Sequence, residues 1–552
     1  MADSRFHDAM AQGYAFTEPT IVLGGPMLGA DALTDVKVQA PLSMMNRHGL
    51  VAGATGTGKT KTLQIIAGEL SDAGVPCFIA DVKGDVTGIA QPGDPTNPKV
   101  QERATQLGWT YKPEGHPVEF LSLSGKLGAQ VRATVHSFGA VLLGKVMDLN
   151  ETQTSVLSLI FKYCDDNQLP LLDLADLRTT LQFLTSADGK ATLADYGGMS
   201  TQTVGVLLRA IVNLEEAGAD VFFGEPEFEV SDLIRATPDG KGVVSVLELS
   251  DVMDKPRLFS TFMLWMLAQL YHTLPEMGDL PKPKLCFFFD EAHLLFADAS
   301  DALMEQIELT VRLIRSKGVG VYFATQAPTD VPSSVLAQLG NRVQHALRAF
   351  TPDDADNLRK TARTFPTSDF YEVEKVITSL GIGEALVTVL TPKGIPGPLA
   401  ATRLVPPDSS MAALDPAAFQ SLVTSATLRA KYGITVDRQS AHEMITARIQ
   451  SAQQAAAQQA GQAGPAAGAS AQTPVTPEQY QRDVRRQAQE MARQQREADR
   501  QARADRRAEQ QTARAQERQR EQIMRTGTRI LTSRAGQDVL RTVFGTLFGS
   551  KR

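Results

Sequence analysis

Gly53-Ala54-Thr55-Gly56-Thr57-Gly58-Lys59-Thr60 is a complete Gly-x-x-x-x-Gly-Lys-Thr string, and its flanks decide how it is read. Before it stands a short apolar segment, Gly49–Ala52. After it, Lys59–Leu70 places Leu63, Ile66 and Leu70 at helical spacing, with Gly74 set to stop the helix. A second apolar run, Val75–Asp81, follows. Strand, glycine loop, helix and strand make a βαβ unit, the context in which such a string has a mechanism. Glycines let successive backbone N–H groups wrap an anion, and the helix N-terminus adds positive potential. Lys59 then reaches the outer phosphate oxygens and the Thr60 hydroxyl ligates a divalent cation. The expected nucleotide-binding residues are Gly53, Ala54, Thr55, Gly56, Thr57, Gly58, Lys59, Thr60 and Lys61.

A loop of this kind needs a carboxylate at the end of another strand to hold the metal. Leu285-Cys286-Phe287-Phe288-Phe289-Asp290-Glu291 supplies one after an apolar run. Asp290 joins Thr60 as an expected metal ligand. Glu291, next along the chain, is placed to polarise an attacking water, a group that simple phosphotransferases do not require. The adjacency favours hydrolysis over small-molecule phosphorylation. The next apolar run, Val319–Thr325, delivers Thr325-Gln326 at its end, and Gln326 is read as a nucleotide sensor. Arg312 and Arg315 lie three apart on a predicted helix, Glu305–Lys317, and share a face. The plain alternative for each of these groups is a polar residue closing a strand, or a surface ion pair worth little.

Taken in order, the glycine loop, Phe-Phe-Phe-Asp290-Glu291, Arg312-Leu-Ile-Arg315-Ser-Lys-Gly318-Val-Gly, Ala324-Thr325-Gln326 and Asn341-Arg342 resemble the HerA–FtsK superfamily of ring ATPases. The likeness is to its HerA-like bacterial branch and runs from about Gly24 to Leu404. It implies ATP and Mg²⁺ as cofactors, Glu291 and Lys59 as catalytic residues, and Gln326 as the strand-end glutamine. It also implies Arg315 as a finger reaching a neighbouring subunit's γ-phosphate, with Arg342 and Arg348 as alternatives. Asp81, Lys83 and Asp85 resemble the Asp-x-Lys-Gly-Asp/Glu stretch of related conjugation ATPases, which implies a nucleotide-side role for them.

The expected fold is α/β: a RecA-like P-loop core with a mainly parallel central sheet, a helical insertion and a long helical or disordered C-terminal arm. Gly242–Leu249 and Arg342–Phe350 are further strand candidates. From 129 to 239 the pattern is helical, as in Thr154–Tyr163 and Thr203–Leu214. Glu384–Leu404 reads as a hairpin around a Pro- and Gly-rich turn. The predicted divisions are a short N-terminal segment, 1–48; a core formed by 49–128 and 240–404; an insertion, 129–239; a helical extension and flexible linker, 405–475; and an Arg/Gln-rich arm, 476–552. Ser451–Ala471 is Ala, Gln, Gly and Ser without apolar period and reads as the linker. Thr476–Arg525 reads as a solvated helix, and Ile530–Phe548 regains an amphipathic pattern.

Bulk composition narrows the class. At 552 residues, with 43% hydrophobic and 21% charged, the chain can bury a large core, which excludes disorder as its main character. Cys77, Cys164 and Cys286 are widely spaced, so neither a disulfide framework nor a zinc site is expected, and a reducing cytoplasm fits. The longest apolar stretch, Leu258–Leu270, is broken by Ser260, Thr261 and Gln269, so no transmembrane segment is expected. The net charge of −7 excludes a generally basic coat for nucleic acid but not a basic channel. The leading expectation is a homo-oligomer, hexameric by resemblance, that hydrolyses ATP and acts on double-stranded DNA. The alternative is an ATP-switched assembly protein whose C-terminal arm binds a protein partner.

Overall fold

A computed structural model describes residues 2–462 apart from 187–188, 192–195, 197 and 297–300. Two compact units divide the chain, Met1–Ala457 and Gln458–Arg552. The C-terminal arm at 476–552, with its amphipathic terminus, lies outside the described residues, as does the linker beyond 462.

The first unit is organised by one sheet. In chain order its strands are β1 Thr20–Leu28, β2 Asp31–Ala32, β3 Val38–Pro41, β4 Gly49–Ala52, β5 Cys77–Asp81, β6 Val118–Ser122, β7 Ala129–Gln130, β8 Val244–Glu248, β9 Leu285–Phe289, β10 Val319–Thr325, β11 Asn341–Gln344, β12 Glu384–Thr388 and β13 Ala400–Leu404. Across the sheet they run β2-β1-β13-β12-β11-β4-β10-β9-β5-β8-β6-β7, with β3 on β1. Every pairing from β11 to β7 is parallel, and those from β11 through β12 and β13 to β1, β2 and β3 are antiparallel. This is the RecA-like, mainly parallel P-loop architecture.

The central strands read as unbroken apolar runs because both faces are covered. Alternate residues feed two separate cores. On one face Phe287, Phe289, Val321 and Phe323 pack with the insertion helices and with Pro256–Thr273 and Asp301–Ile314. On the other, Cys286, Phe288, Tyr322 and Ala324 share a core with Leu63, Ile66 and Leu70 of the helix Lys59–Asp72, with Phe6 and Met10 of the helix Ala2–Gly13, and with Tyr14 just after it. The Leu258–Leu270 stretch lies within Pro256–Thr273, where Phe262 to Leu267 are buried. No described helix is long and apolar enough to cross a membrane.

Between β7 and β8 the helices Glu151–Asp166, Leu174–Thr185 and Thr201–Glu216 bury one stripe each, as with Val204, Leu207, Ile211 and Leu214. Asn150 and Asp173 close capping boxes with Gln153 and Asp176 at the starts of the first two. One difference from the sequence reading lies in Ala441–Gln462, a helix that continues through the first residues of the stretch read as linker. Ala and Gln are strong helix formers, so a missing apolar period does not by itself mean irregular backbone, and the described Ser451–Ala455 are exposed.

Candidate functional site

Strands β5, β9, β10 and β4 are adjacent and parallel, so the segments leaving their C-terminal ends emerge together at one edge. Ala52 stands level with Thr325, and Phe289 with Phe323 and Ala80. Gly53 N donates to Thr325 O at 3.1 Å, Asp290 N to Ala80 O at 3.2 Å and Ala292 N to Ala324 O at 2.8 Å. These bonds tie the glycine loop, the Asp290-Glu291 pair and the Gln326 turn into one frame.

Within the loop, Gly56 and Gly58 take φ of +78° and +115°, left-handed values that favour glycine. Gly58 is the N-cap of Lys59–Asp72 and carries no side-chain cap, which leaves first-turn N–H groups for an anion. Lys59 is buried, and its Nζ donates to Gly53 O at 2.7 Å and Ala54 O at 3.4 Å. Burial lowers the ammonium's pKa, against the pull of Glu291 and Asp290. The Thr60 hydroxyl lies 3.3 Å from Asp85 Oδ2.

Beneath the loop lies His345, which no sequence pattern marks. Thr62 Oγ1 sits 2.8 Å from its Nε2, and its Nδ1 is 3.0 Å from Glu384 O. Burial pushes the imidazole down to about 4, so it is neutral at pH 7. A carbonyl only accepts, hence Nδ1–H donates to Glu384 O and Nε2 accepts a hydrogen bond from the Thr62 hydroxyl. A Cβ at Gly53 would stand 2.4 Å from His345 Cβ, so this ring needs a glycine above it.

On the cation side, Asp81, Asp85 and Asp290 bring carboxylate oxygens within 4.8 Å of one another. Burial, with Asp81 and Glu291 close by, pushes Asp290 up to about 7. Glu248, at the end of neighbouring β8, is pushed up to about 9 by burial and by Asp81. Sequence reading passed over Glu248, although it closes an apolar run just as Asp290 does. Oxygens of Asp85, Glu248 and Asp290 are buried without a hydrogen-bond partner. A crowded set of hard oxygen donors with unmet acceptors fits a small divalent cation such as Mg²⁺.

Glu291 is buried, with its backbone in the left-handed region at φ +48°. Its Oε1 accepts from Lys83 Nζ, and Oε2 has no hydrogen-bond partner. Burial raises its pKa, but Lys83 and Lys59 outweigh that and hold the carboxyl below its usual range.

Gln326 is exposed and lines a pocket of about 440 Å³ with Ala54, Asp330, Arg348 and Asp354. A second cleft, of about 420 Å³, opens beside Gly58, Lys61 and Ile65 and is bounded by Arg103, Ile382 and Pro406. Arg315 is exposed in the turn Arg315–Lys317 that enters β10, at the opposite end of that strand from the loop. It is therefore not part of its own chain's site. Arg342 is tied to the carbonyls of Leu336, Leu339 and Thr364 at 3.3, 3.2 and 3.0 Å, which removes it as a free finger. Arg348 stands in the pocket beside Ala54 of the same chain.

Curated proteins give no match. Among solved structures, the unbound monoclinic form of the bacterial conjugative coupling protein TrwBdeltaN70 is similar at 14% identity and TM-score 0.47, over 74% of this chain and 93% of that one. VirB4 of Thermoanaerobacter pseudethanolicus is similar at 14% identity and TM-score 0.44, over 71% and 98%. The plasmid coupling protein TrwB in complex with ADP and Mg²⁺ gives 14% and 0.43, over 72% and 98%. The helicase HerA-like C-terminal family model matches residues 28–552, and the chain belongs to that family.

Proposed function

We propose that this chain is a Mg²⁺-dependent ATP hydrolase that works as a homo-oligomeric, hexameric ring moving double-stranded DNA in the cytoplasm. The observation that carries the hydrolytic part is the meeting, at one sheet edge, of an uncapped glycine loop, an under-satisfied carboxylate cluster and a glutamate with one unpartnered oxygen. Gly53–Lys61 wraps the phosphates and Lys59 binds their outer oxygens. Thr60 and Asp290 would hold Mg²⁺, which when bound neutralises charge on the phosphates. Glu291 accepts a proton from the attacking water as the water oxygen bonds to the γ-phosphorus and the bond to the departing ADP oxygen breaks. Gln326, at the mouth beside Ala54, senses the γ-phosphate. The cleft beside Lys61 and Ile65 is open to the base.

The ring is supported by where Arg315 stands. A cation exposed at the far end of β10 serves a site only if another copy brings one, and such a head-to-tail interface makes a ring when its rotation closes. DNA as the polymer is supported by membership of a family described as helicase-like. The cytoplasm is supported by the three cysteines, which are buried and unpaired.

Steady-state ATP hydrolysis with and without long double-stranded DNA, at two salt concentrations, tests the reading. Stimulation that fades as salt rises is expected, because phosphate-backbone contacts release counterions. Hydrolysis indifferent to DNA would favour the nucleotide-switched assembly protein and direct attention to partners of 476–552. Glu291→Gln serves as the blank. It should keep ATP affinity and lose about 10²-fold in turnover, because the amide still fills the site but takes no proton. Full turnover in that variant would remove Glu291 as the base.

A further inference from the structure

Asp81 closes β5 as a buried carboxylate, and the chain that follows is wound around it. Lys83 N and Gly84 N donate to Oδ1 at 3.1 and 2.8 Å, and Val86 N donates to Oδ2 at 2.9 Å. Gly84 allows the tight path with a φ of +75°. A loop fixed at three N–H groups is a stiff platform, and from it the Lys83 ammonium reaches Glu291 Oε1.

The pair is asymmetric. The Lys83 side chain is 45% exposed and that of Glu291 is 5% exposed, so the cation approaches from the open side and the carboxylate is fixed within the fold. Oε2 is buried with no hydrogen-bond partner, and His293 Nδ1 stands 3.3 Å from it. The Glu291 backbone is pinned on both sides by the Asp290 and Ala292 N–H bonds to β5 and β10, and its carboxylate needs a partner of its own to set which oxygen is paired. An ammonium on one oxygen supplies it, and decides which oxygen remains open to accept.

We propose that Lys83 is a positioning residue for Glu291: by holding Oε1 it keeps Oε2 as the single oxygen able to take a hydrogen bond from the attacking water. The inference rests on the hydrolytic reading above. Lys83 acts through the carboxylate and not on the phosphates, so its loss should lower kcat and leave nucleotide affinity alone.

The test uses the full chain with ATP and compares wild type, Lys83→Met, Lys83→Arg, Glu291→Gln and the Lys83→Met/Glu291→Gln double variant. Turnover is measured under single-turnover conditions so that slow variants stay measurable, and affinity with a fluorescent ATP analogue. Lys83→Met should lose about 10–100-fold in kcat, with affinity within about twofold of wild type. Lys83→Arg should recover most of that loss, and Lys83→Met should cost nothing further once Glu291 is Gln. The idea is overturned if Lys83→Met turns over normally, if its defect lies in affinity, or if it adds fully to Glu291→Gln. Should the Met variant lack a native melting transition, Lys83→Gln is read by the same split between kcat and affinity. A wild type that hydrolyses normally beside a normal Lys83→Met defeats this inference alone; a wild type that does not hydrolyse ATP defeats both.

Discussion

Lys59→Ala is expected to lose nucleotide binding and turnover together. In the structure Lys59 is buried and folded back on its own loop, donating to Gly53 O and Ala54 O. It already faces the space the loop encloses. A charge-assisted hydrogen bond to phosphate contributes about 1.5–3 kcal/mol, so truncation should weaken ATP binding about 10–100-fold. Turnover should fall further, by about 10³-fold, because charge on the phosphate oxygens grows toward the transition state and the fixed cation is worth most there. The control is electrostatic as well as steric. Lys59 and Lys83 both act on Glu291, so Lys59→Met, which keeps the buried stem, separates lost charge from lost packing. Titration with a fluorescent ATP analogue, alongside steady-state hydrolysis and a melting curve, reads all three effects. A folded Lys59→Ala that binds ATP with wild-type affinity would show that this loop is not the nucleotide site.

The same residues show what sequence can and cannot reveal. Strands β4 and β10 and the helix between β4 and β5 were legible because each is a short apolar run or a 3.6-residue stripe bounded by glycine. β1 was not. Its sequence Thr20–Leu28 contains Gly24, Gly25 and Pro26, which read as strand breakers. Gly24 has a use there: a Cβ on it would lie 2.1 Å from Arg403 O, so the close approach to β13 requires glycine. β6 was hidden by Glu119 in mid-strand, whose charge is met by Arg235 at 3.4 Å from a segment more than a hundred residues away. The N-terminal strands thus extend the core sheet through a pairing that no local window contains.

Within the site the division is similar. The glycine loop and Asp290-Glu291 announce themselves because each motif carries its own context. The contacts that tune them span long separations: Lys83 to Glu291 covers 208 residues, and Thr62 to His345 covers 283. Lys83 was visible as a motif member with a nucleotide-side role, but not as a partner of Glu291. His345 gave no signal at all, since a lone histidine in an apolar run is indistinguishable from one that merely packs.

Arg315→Ala is expected to leave ATP binding intact and to lower turnover by about 10³-fold or more, the scale on which an arginine finger acts. The reason it cannot act within its own chain is geometric. Arg315 precedes Val319, and the glycine loop adjoins Thr325 at the other end of the same seven-residue strand. At about 3.3 Å per residue the strand alone separates them by about 20 Å. A cation that remote does nothing for its own γ-phosphate, yet its exposure at an edge leaves it free for a neighbour. Mixing therefore gives the decisive measurement. Lys59→Ala has a dead loop and an intact Arg315; Arg315→Ala has the reverse. Where an Arg315→Ala loop meets the edge of a Lys59→Ala neighbour, every catalytic part is present. In a randomly assembled equimolar ring about a quarter of the interfaces are of that kind. Two nearly inactive proteins should then regain, on mixing, activity far above their sum, and the gain should vanish on dilution below the assembly concentration. If the mixture stays as inactive as its components while both variants co-assemble, Arg315 does not serve a neighbouring site. If Arg315→Ala alone hydrolyses normally at saturating protein concentration, it has no catalytic role, and Arg348, which stands beside Ala54 in the same chain, becomes the arginine to remove next.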